Sequence, residues 1–303
     1  MVRQGYDKGF VASLLAASGT LGLVIPPSVC MVVYSQNASC SIGDMFLAGF
    51  IPGILAELLL AVLSVVIAKR RKYQQVDVGV TNAREAISIT LDAFLPLLMP
   101  VIILGGIYGG IFTPTEASVV AVVYGILVSF LIYREMTVRQ FISALVDSAV
   151  AGSVILLMIS TSMAFSWIFA RQGLSTLVVS SVSSVFTTAT SFMILSFVIF
   201  LIFGTFMDAN ANALLLLPLM FPVAQSLGID AIHYCIFATG ALIIGSSSPP
   251  VAVNIFTAVS VTGLPMSRVI RGMMPFFIVM IVTVFLYSFF PQLSTFLPNL
   301  IGT

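Results

Sequence analysis

The chain has 303 residues, of which 59% are hydrophobic and 8% charged, with a formal net charge of +1 and a mean hydropathy of +1.16. Soluble domains carry roughly a quarter of their residues as charged side chains, so the composition excludes one and predicts an all-α polytopic membrane protein in a lipid bilayer. No basic patch points to nucleic acid as a partner, and a single histidine with three cysteines outside any CxxC spacing argues against a metal or redox centre.

Apolar stretches near the ~20 residues needed to span a bilayer occupy 10–34, 44–68, 94–112, 116–133, 149–170, 173–190, 192–206, 233–259 and 272–290. The opening MVRQGYDKGF and its apolar run look superficially like a signal peptide. That run continues through Pro26-Pro27 to Tyr34 with no small-x-small cleavage site, so it reads as a membrane helix. Residues 81–93 alternate charge and apolar groups at helical spacing and predict an amphipathic surface helix, as does 134–147. Glu116 in FTPTEAS predicts a helix cap after Pro114, with Thr113 or Thr115 as the N-cap. MDANANALLLLPLMFPVAQSL, interrupted by Pro218 and Pro222, predicts a re-entrant hairpin at about 207–228. Lys69, Arg70, Arg71 and Lys72 place the loop after 44–68 in the cytoplasm.

Two Pro-Pro steps interrupt apolar runs, in GTLGLVIPPSVCMVVY and ALIIGSSSPPVAVNIF. One offset of 223 residues carries Pro26-Pro27 onto Pro249-Pro250, Gly22 onto Gly245, Gly49 onto Gly272 and Pro52 onto Pro275. The chain therefore reads as an internal repeat whose key element is a helix broken within the membrane. Such breaks persist only where they face protein or a polar cavity, and a pair of them marks the binding site of a secondary transporter. Counting crossings from the cytoplasmic 69–72 loop makes the two broken helices run in opposite directions. This defines an inverted repeat: 10–68 belongs to the first half, 69–148 connects, and 149–303 forms the second half of a single membrane domain. The freed carbonyls, with Thr20, Gly22 and Ser28 at the first break and Ser246, Ser248 and Asn254 at the second, form a hard-oxygen set suited to Na⁺. The half-helix ends add negative partial charge for cations and positive partial charge for a carboxylate. Asp208, an acid at membrane depth, joins the set as a cation ligand or as a charge that fixes the hairpin tip, with capping of the hairpin helix as its structural alternative. There is no GxGD, no HExxH and no Ser–His pairing on facing spans, so the chain reads as no enzyme.

GTLGLVIPPS, SIGDMFLAGFIPG, GGIYGGIFTPTEASVVAVVYG, FGTFMDANANALLLLPLMFPVAQSLGID and SPPVAVNIF, in that order, resemble the large, DctM-type membrane subunit of tripartite ATP-independent periplasmic (TRAP) transporters. The resemblance implies an elevator-type symporter in the bacterial inner membrane. Na⁺ would be its coupling ion, and its substrate an organic acid such as a C4-dicarboxylate or sialic acid. It also implies a small membrane subunit and a periplasmic substrate-binding protein as partners, no further cofactor, and sodium sites around Thr20–Ser28, Asp208 and Ser246–Asn254. The second break reads SSSPP where the family more often has threonine before the prolines; Ser248 keeps the hydroxyl. At the offset of 223, the counterpart of a hairpin starting near Asp208 falls ahead of Met1. A first hairpin is thus expected outside this sequence, with the chain a fragment or a short form. The alternatives are a non-transporting remnant and a divalent-anion/Na⁺ symporter that needs no binding protein.

Overall fold

The computed structural model describes residues 1–2, 5–73, 83–207, 209–249 and 253–301. Among these residues the regular structure is helical throughout, and the helices group into two compact units, 1–74 with 158–303, and 75–157. Among the described residues five helices are long and apolar enough to cross a membrane: Ile42–Arg70, Pro114–Ile132, Val138–Phe169, Ala189–Phe206 and Met266–Phe289. The chain is an all-α, multi-pass membrane protein.

In the first unit the helices are α1 (Lys8–Gly19), α2 (Val29–Ala38) and α3 (Ile42–Arg70), which precede the second unit. After it come α7 (Leu174–Val185), α8 (Ala189–Phe206), α9 (Ala209–Ser226), α10 (Ala231–Ser246), α11 (Val253–Thr262), α12 (Met266–Phe289) and α13 (Gln292–Ile301). The offset of 223 maps the starts of α1, α2 and α3 onto those of α10, α11 and α12 to within a residue. It also maps their caps. Asp7 Oδ1 accepts the Phe10 N–H at 2.9 Å, and Asp230 Oδ1 accepts the His233 N–H at 2.8 Å, the same bond in each repeat.

α12 shows that the repeats are inverted. Its 24 residues extend about 36 Å at 1.5 Å per residue. Its first turn meets the start of α1, where Arg268 Nη2 donates to Asp7 Oδ2 at 2.6 Å. Just past its far end, Ser294 lies 2.7 Å from His233 Nδ1, in the first turn of α10. α1 and α10 therefore begin at opposite ends of one long helix. The residues at the two ends also correspond. Arg71, 5.8 Å over the Phe10 ring, and Ser294 on His233 occupy equivalent positions at the offset, and Arg268 corresponds to Met45.

The region read as a hairpin at 207–228 is different. Residues 209–226 form one unbroken helix despite Pro218 and Pro222. Phe192 stacks on Tyr234 while Gly204 abuts Gly245, so α8 runs parallel to α10. Phe221 lies 6.4 Å from Tyr234, so α9 runs back along α10. The hairpin is α8 with α9, and the chain reverses between Phe206 and Ala209. Phe192, Phe200, Phe221 and Phe237 surround Tyr234, whose hydroxyl donates to Ser196 Oγ at 3.2 Å, and fix both arms to α10.

Proline survives within α9 because a neighbour replaces the lost bond. Pro218 cannot donate to the Leu214 carbonyl one turn back; Ser162 Oγ donates to it instead, at 2.6 Å. Ser162→Ala leaves that buried carbonyl unpaired, so the variant should unfold with a loss of about 1–3 kcal/mol. Thermal unfolding in detergent measures this, and an unchanged midpoint would remove the role assigned to Ser162.

The second unit contains α4 (Ala83–Tyr108), α5 (Pro114–Leu127), which continues as a π-helical turn over Val128–Ile132, and the first part of α6 (Val138–Arg171). Thr113 caps α5 in a reciprocal box with Glu116, giving Glu116 the structural role its motif predicts. The two surface helices expected here are not separate elements. Residues 134–147 feed directly into α6, which Thr137 and Gln140 start with a second capping box. Within 81–93, residues 81 and 82 lie outside the described residues, and the remainder is the first part of α4. The span expected at 173–190 also shrinks, to the 12 residues of α7. α13 was not expected from hydropathy.

Candidate functional site

Each Pro-Pro step strips two helical N–H donors from the backbone. At the first, α1 passes into a 3-10 turn over Thr20–Leu23, and the chain is extended at Ser28, with φ −127° and ψ 131°, before α2 begins. Pro26 and Pro27 deny donors to the Gly22 and Leu23 carbonyls. Ser28 Oγ takes up Leu23 O at 2.6 Å, and Thr20 Oγ1 takes up Ala17 O at 2.5 Å; both side chains are buried. Gly22 is exposed, and among the described residues its carbonyl meets no such hydroxyl.

At the second break, Ser246 Oγ donates to Ile243 O at 2.9 Å, and Asn254 Nδ2 donates to Ser247 Oγ at 3.2 Å. Ser247, fully enclosed, is thus the hydroxyl that links the two half-helices across this break. Among the described residues the Ser248 hydroxyl donates to the Pro249 carbonyl, at 3.5 Å. Pro250 and Asp208 lie outside the described residues.

Both breaks converge on the α8–α9 reversal. From the first, Cys30 Sγ in the opening turn of α2 donates to Asn210 Oδ1 at 3.3 Å. From the second, Gly245 packs backbone to backbone on Gly204, two residues before α8 ends. The 3-10 turn of the first break also reaches α10: Thr20, Leu21 and Val24 share a cavity of about 30 Å³ with Gly240, Ile244 and Tyr287. Asn212, one turn beyond position 208, is 0% exposed, yet among the described residues neither its amide nitrogen nor its oxygen has a partner. Buried polar atoms are satisfied in the great majority of cases. An orphaned donor and acceptor on the hairpin, beside two broken helices, make this a candidate position for a polar ligand. Its single-residue spacing from Asn210 in DANAN was the available sequence signal.

At the end of the first unit where α1 begins, Asp7 also receives Arg71 Nη1 at 3.7 Å. Partial burial works to raise the Asp7 pKa. The Phe10 N–H and the Arg268 and Arg71 guanidiniums outweigh it and hold the carboxyl below its ordinary value. Among the described residues no three His, Cys, Asp or Glu side chains come together as a metal cluster. The oxygens gathered at the breaks are neutral hydroxyls, carbonyls and amides, which suit a hard cation better than a soft, thiolate-seeking metal.

The family model of the "Tripartite ATP-independent periplasmic transporter, DctM component" matches residues 1–293. The chain belongs to the DctM family. This DctM-family chain is 36% identical over 302 residues to the C4-dicarboxylate TRAP transporter large permease protein of Pseudomonas aeruginosa, covering 100% of this chain and 70% of that protein. It is 35% identical over 295 residues to the sialic acid TRAP transporter large permease protein of Vibrio cholerae, covering 97% and 69%. A third relative, the ectoine TRAP transporter large permease protein of Halomonas elongata, is 31% identical over 305 residues, covering 99% and 70%. Like its family, the DctM-type chain is a transport protein and not an enzyme, and the broken helices are its most distinctive chemistry.

Proposed function

We propose that this chain is the permease subunit of a Na⁺-coupled symporter that imports organic acids across the bacterial inner membrane. In this reading a periplasmic binding protein delivers the substrate, and a small membrane subunit completes the assembly. The observation that carries it is the convergence of both broken helices on one helical hairpin. Each break sets a half-helix C-terminus, partially negative, beside a half-helix N-terminus, partially positive. A small cation is held at the C-terminal ends by the Gly22 and Ser246 carbonyls, with Asp208 nearby in sequence, and a carboxylate is held toward the N-terminal ends of α2 and α11. Each ligand neutralises the field that would repel it alone, so the two bind best together, and that mutual dependence is the physical content of symport. The inverted repeat supplies two arrangements of the same frame, open to one side or the other. The named relatives handle a dicarboxylate, sialic acid and ectoine. All of these carry a carboxylate, which fits the N-terminal half-helix ends as the shared recognition element.

The test is uptake of a labelled acid into liposomes holding this subunit with its small subunit, with and without binding protein. Uptake should require inward Na⁺ and binding protein. Uptake with no binding protein would replace this reading by the binding-protein-independent symporter. Asp208→Asn should raise the Na⁺ concentration for half-maximal uptake at least about tenfold, the equivalent of ~1.4 kcal/mol. Unchanged Na⁺ activation would remove Asp208 from the site.

A further inference from the structure

Seven of the chain's twelve basic residues gather at one rim of the first unit, where the start of α1, the end of α3 and the start of α12 meet. They are Lys8, the run Lys69 to Lys72, Arg268 and Arg271. Among the described residues Asp7 is the only carboxylate paired with any of them, and it holds Arg268 at 2.6 Å and Arg71 at 3.7 Å. One carboxylate thus draws two guanidiniums together and leaves the rim strongly positive. Both side chains remain about half exposed, at 55% and 48%, so several of their N–H donors stay accessible. Arg71 is also fixed from below, 5.8 Å over the Phe10 ring, and it donates to the Tyr73 hydroxyl at 3.2 Å. Tyr6 and Tyr73, half-buried and packed on each other and on Phe10, complete an aromatic layer under the cations. Amphipathic rings of this kind settle at the depth of the lipid headgroups. The fold itself does not require the charge. At the offset of 223 the counterparts are Ala231, the QLST of 292–295, Met45 and Ala48, none of them charged. Membrane orientation needs cations in the 69–72 loop. It does not need arginines in the first two turns of α12, where the helix's own partial positive charge opposes them.

We propose that this rim is a binding site for an anionic phospholipid, whose phosphodiester is held by Arg71 and Arg268 with Arg271 beside them. Guanidiniums grip phosphate oxygens through paired, charge-assisted hydrogen bonds, and basic clusters at this membrane depth recognise anionic headgroups. The surface beneath the cations selects a lipid over a free phosphate. On α3, Val66, Val65 and Val62 lie three, four and seven residues before Lys69, on its face of the helix, and are 41%, 53% and 61% exposed. On α12, Met274, Ile278 and Val282 follow Arg271 at helical spacing and are 47%, 57% and 48% exposed. Each helix therefore presents a cation above an open apolar strip, the pattern that takes a charged headgroup with acyl chains below it. Bound there, the lipid ties α1 and α3 of the first repeat to α12 of the second, at the rim where Asp7 already joins them.

The test needs no transport and so stands apart from the symport reading. Purified, delipidated protein in detergent is titrated with phosphatidylglycerol or with phosphatidylcholine of the same acyl chains, and followed by native mass spectrometry and thermal unfolding. Phosphatidylglycerol should be retained and should raise the melting midpoint, and phosphatidylcholine should do neither. Arg71→Gln combined with Arg268→Gln should weaken phosphatidylglycerol retention at least about tenfold, as the loss of two cations at headgroup depth implies. Because that variant also breaks the Asp7 pairs, Arg271→Gln is measured beside it. Arg271 is paired with no carboxylate among the described residues, so its variant should melt as wild type without lipid and still retain less phosphatidylglycerol. Arg171→Gln, which removes the arginine over Trp167, is the control and should retain the lipid unchanged. Equal retention of the two lipids, or weakening by Arg171→Gln to the same degree, would reduce the effect to bulk charge and overturn the proposal. Wild-type retention by the Arg71→Gln/Arg268→Gln and Arg271→Gln variants would overturn it as well. Equal stabilisation by inorganic phosphate would replace the lipid by a soluble anion.

Discussion

Gly245→Ala should abolish Na⁺-driven uptake and cost about 1–3 kcal/mol of stability, as overpacking of a tight contact does. A Cβ at 245 would stand 2.7 Å from Gly204 Cα and 2.9 Å from the Leu201 carbonyl oxygen. Backbone atoms cannot rotate aside as a flexible side chain can, so α8 and α10 must separate. Because α8 ends two residues past Gly204, any separation moves the hairpin reversal away from the second break. Gly204→Ala should behave alike, with its Cβ 2.8 Å from Gly245 Cα. Gly152→Ala is the control. Nothing lies within 4 Å of its added Cβ, and within helix α6 alanine is favoured over glycine by up to about 1 kcal/mol. Thermal unfolding and uptake on all three variants decide the matter. A Gly245→Ala protein with wild-type melting and wild-type uptake would show that the two helices do not touch as described.

Asn212→Leu should separate stability from function. A structural asparagine with both amide atoms bonded would, on replacement, lose those bonds and leave its partners orphaned. Asn212 has no such partners among the described residues and is wholly enclosed. Its unmet donor and acceptor cost about 1–3 kcal/mol, which an apolar residue of similar size removes. The variant should therefore melt at or above the wild-type temperature, yet lose Na⁺ activation and with it concentrative uptake. A polar group retained at a cost to stability is the mark of a ligand-binding position. Destabilisation together with normal Na⁺ dependence would mean that Asn212 serves packing alone.

Much of this architecture was legible because it rests on local chemistry. Pro-Pro steps break helices in any context, the Thr113-Glu116 box caps a helix wherever it occurs, and a fixed offset needs no alignment to be seen. The 207–228 stretch was misjudged for a physical reason. Proline in sequence signals a lost hydrogen bond, and only the fold reveals that Ser162, on another helix, replaces it at Leu214. With that bond restored, the helix continues and the reversal moves back between Phe206 and Ala209. Residues 134–147 were misread because charge at one end of a long helix looks the same as a separate surface helix. The Thr137-Gln140 box in the same stretch was the overlooked sign of where α6 starts. At the candidate site, hydroxyl content pointed to the breaks but could not say which serine bridges; Ser247, rather than Ser248, meets Asn254.

The paired caps carry a consequence for how such a subunit takes its place in the bilayer. Asp7 and Asp230 make the same bond at opposite ends, so the backbone frame is nearly indifferent to being turned upside down. The rims are not: Arg71 and Arg268 at one end face Ser294 and Met45 at the equivalent positions of the other. Insertion polarity is therefore written in a few replaceable side chains, while the fold itself stays neutral on the question.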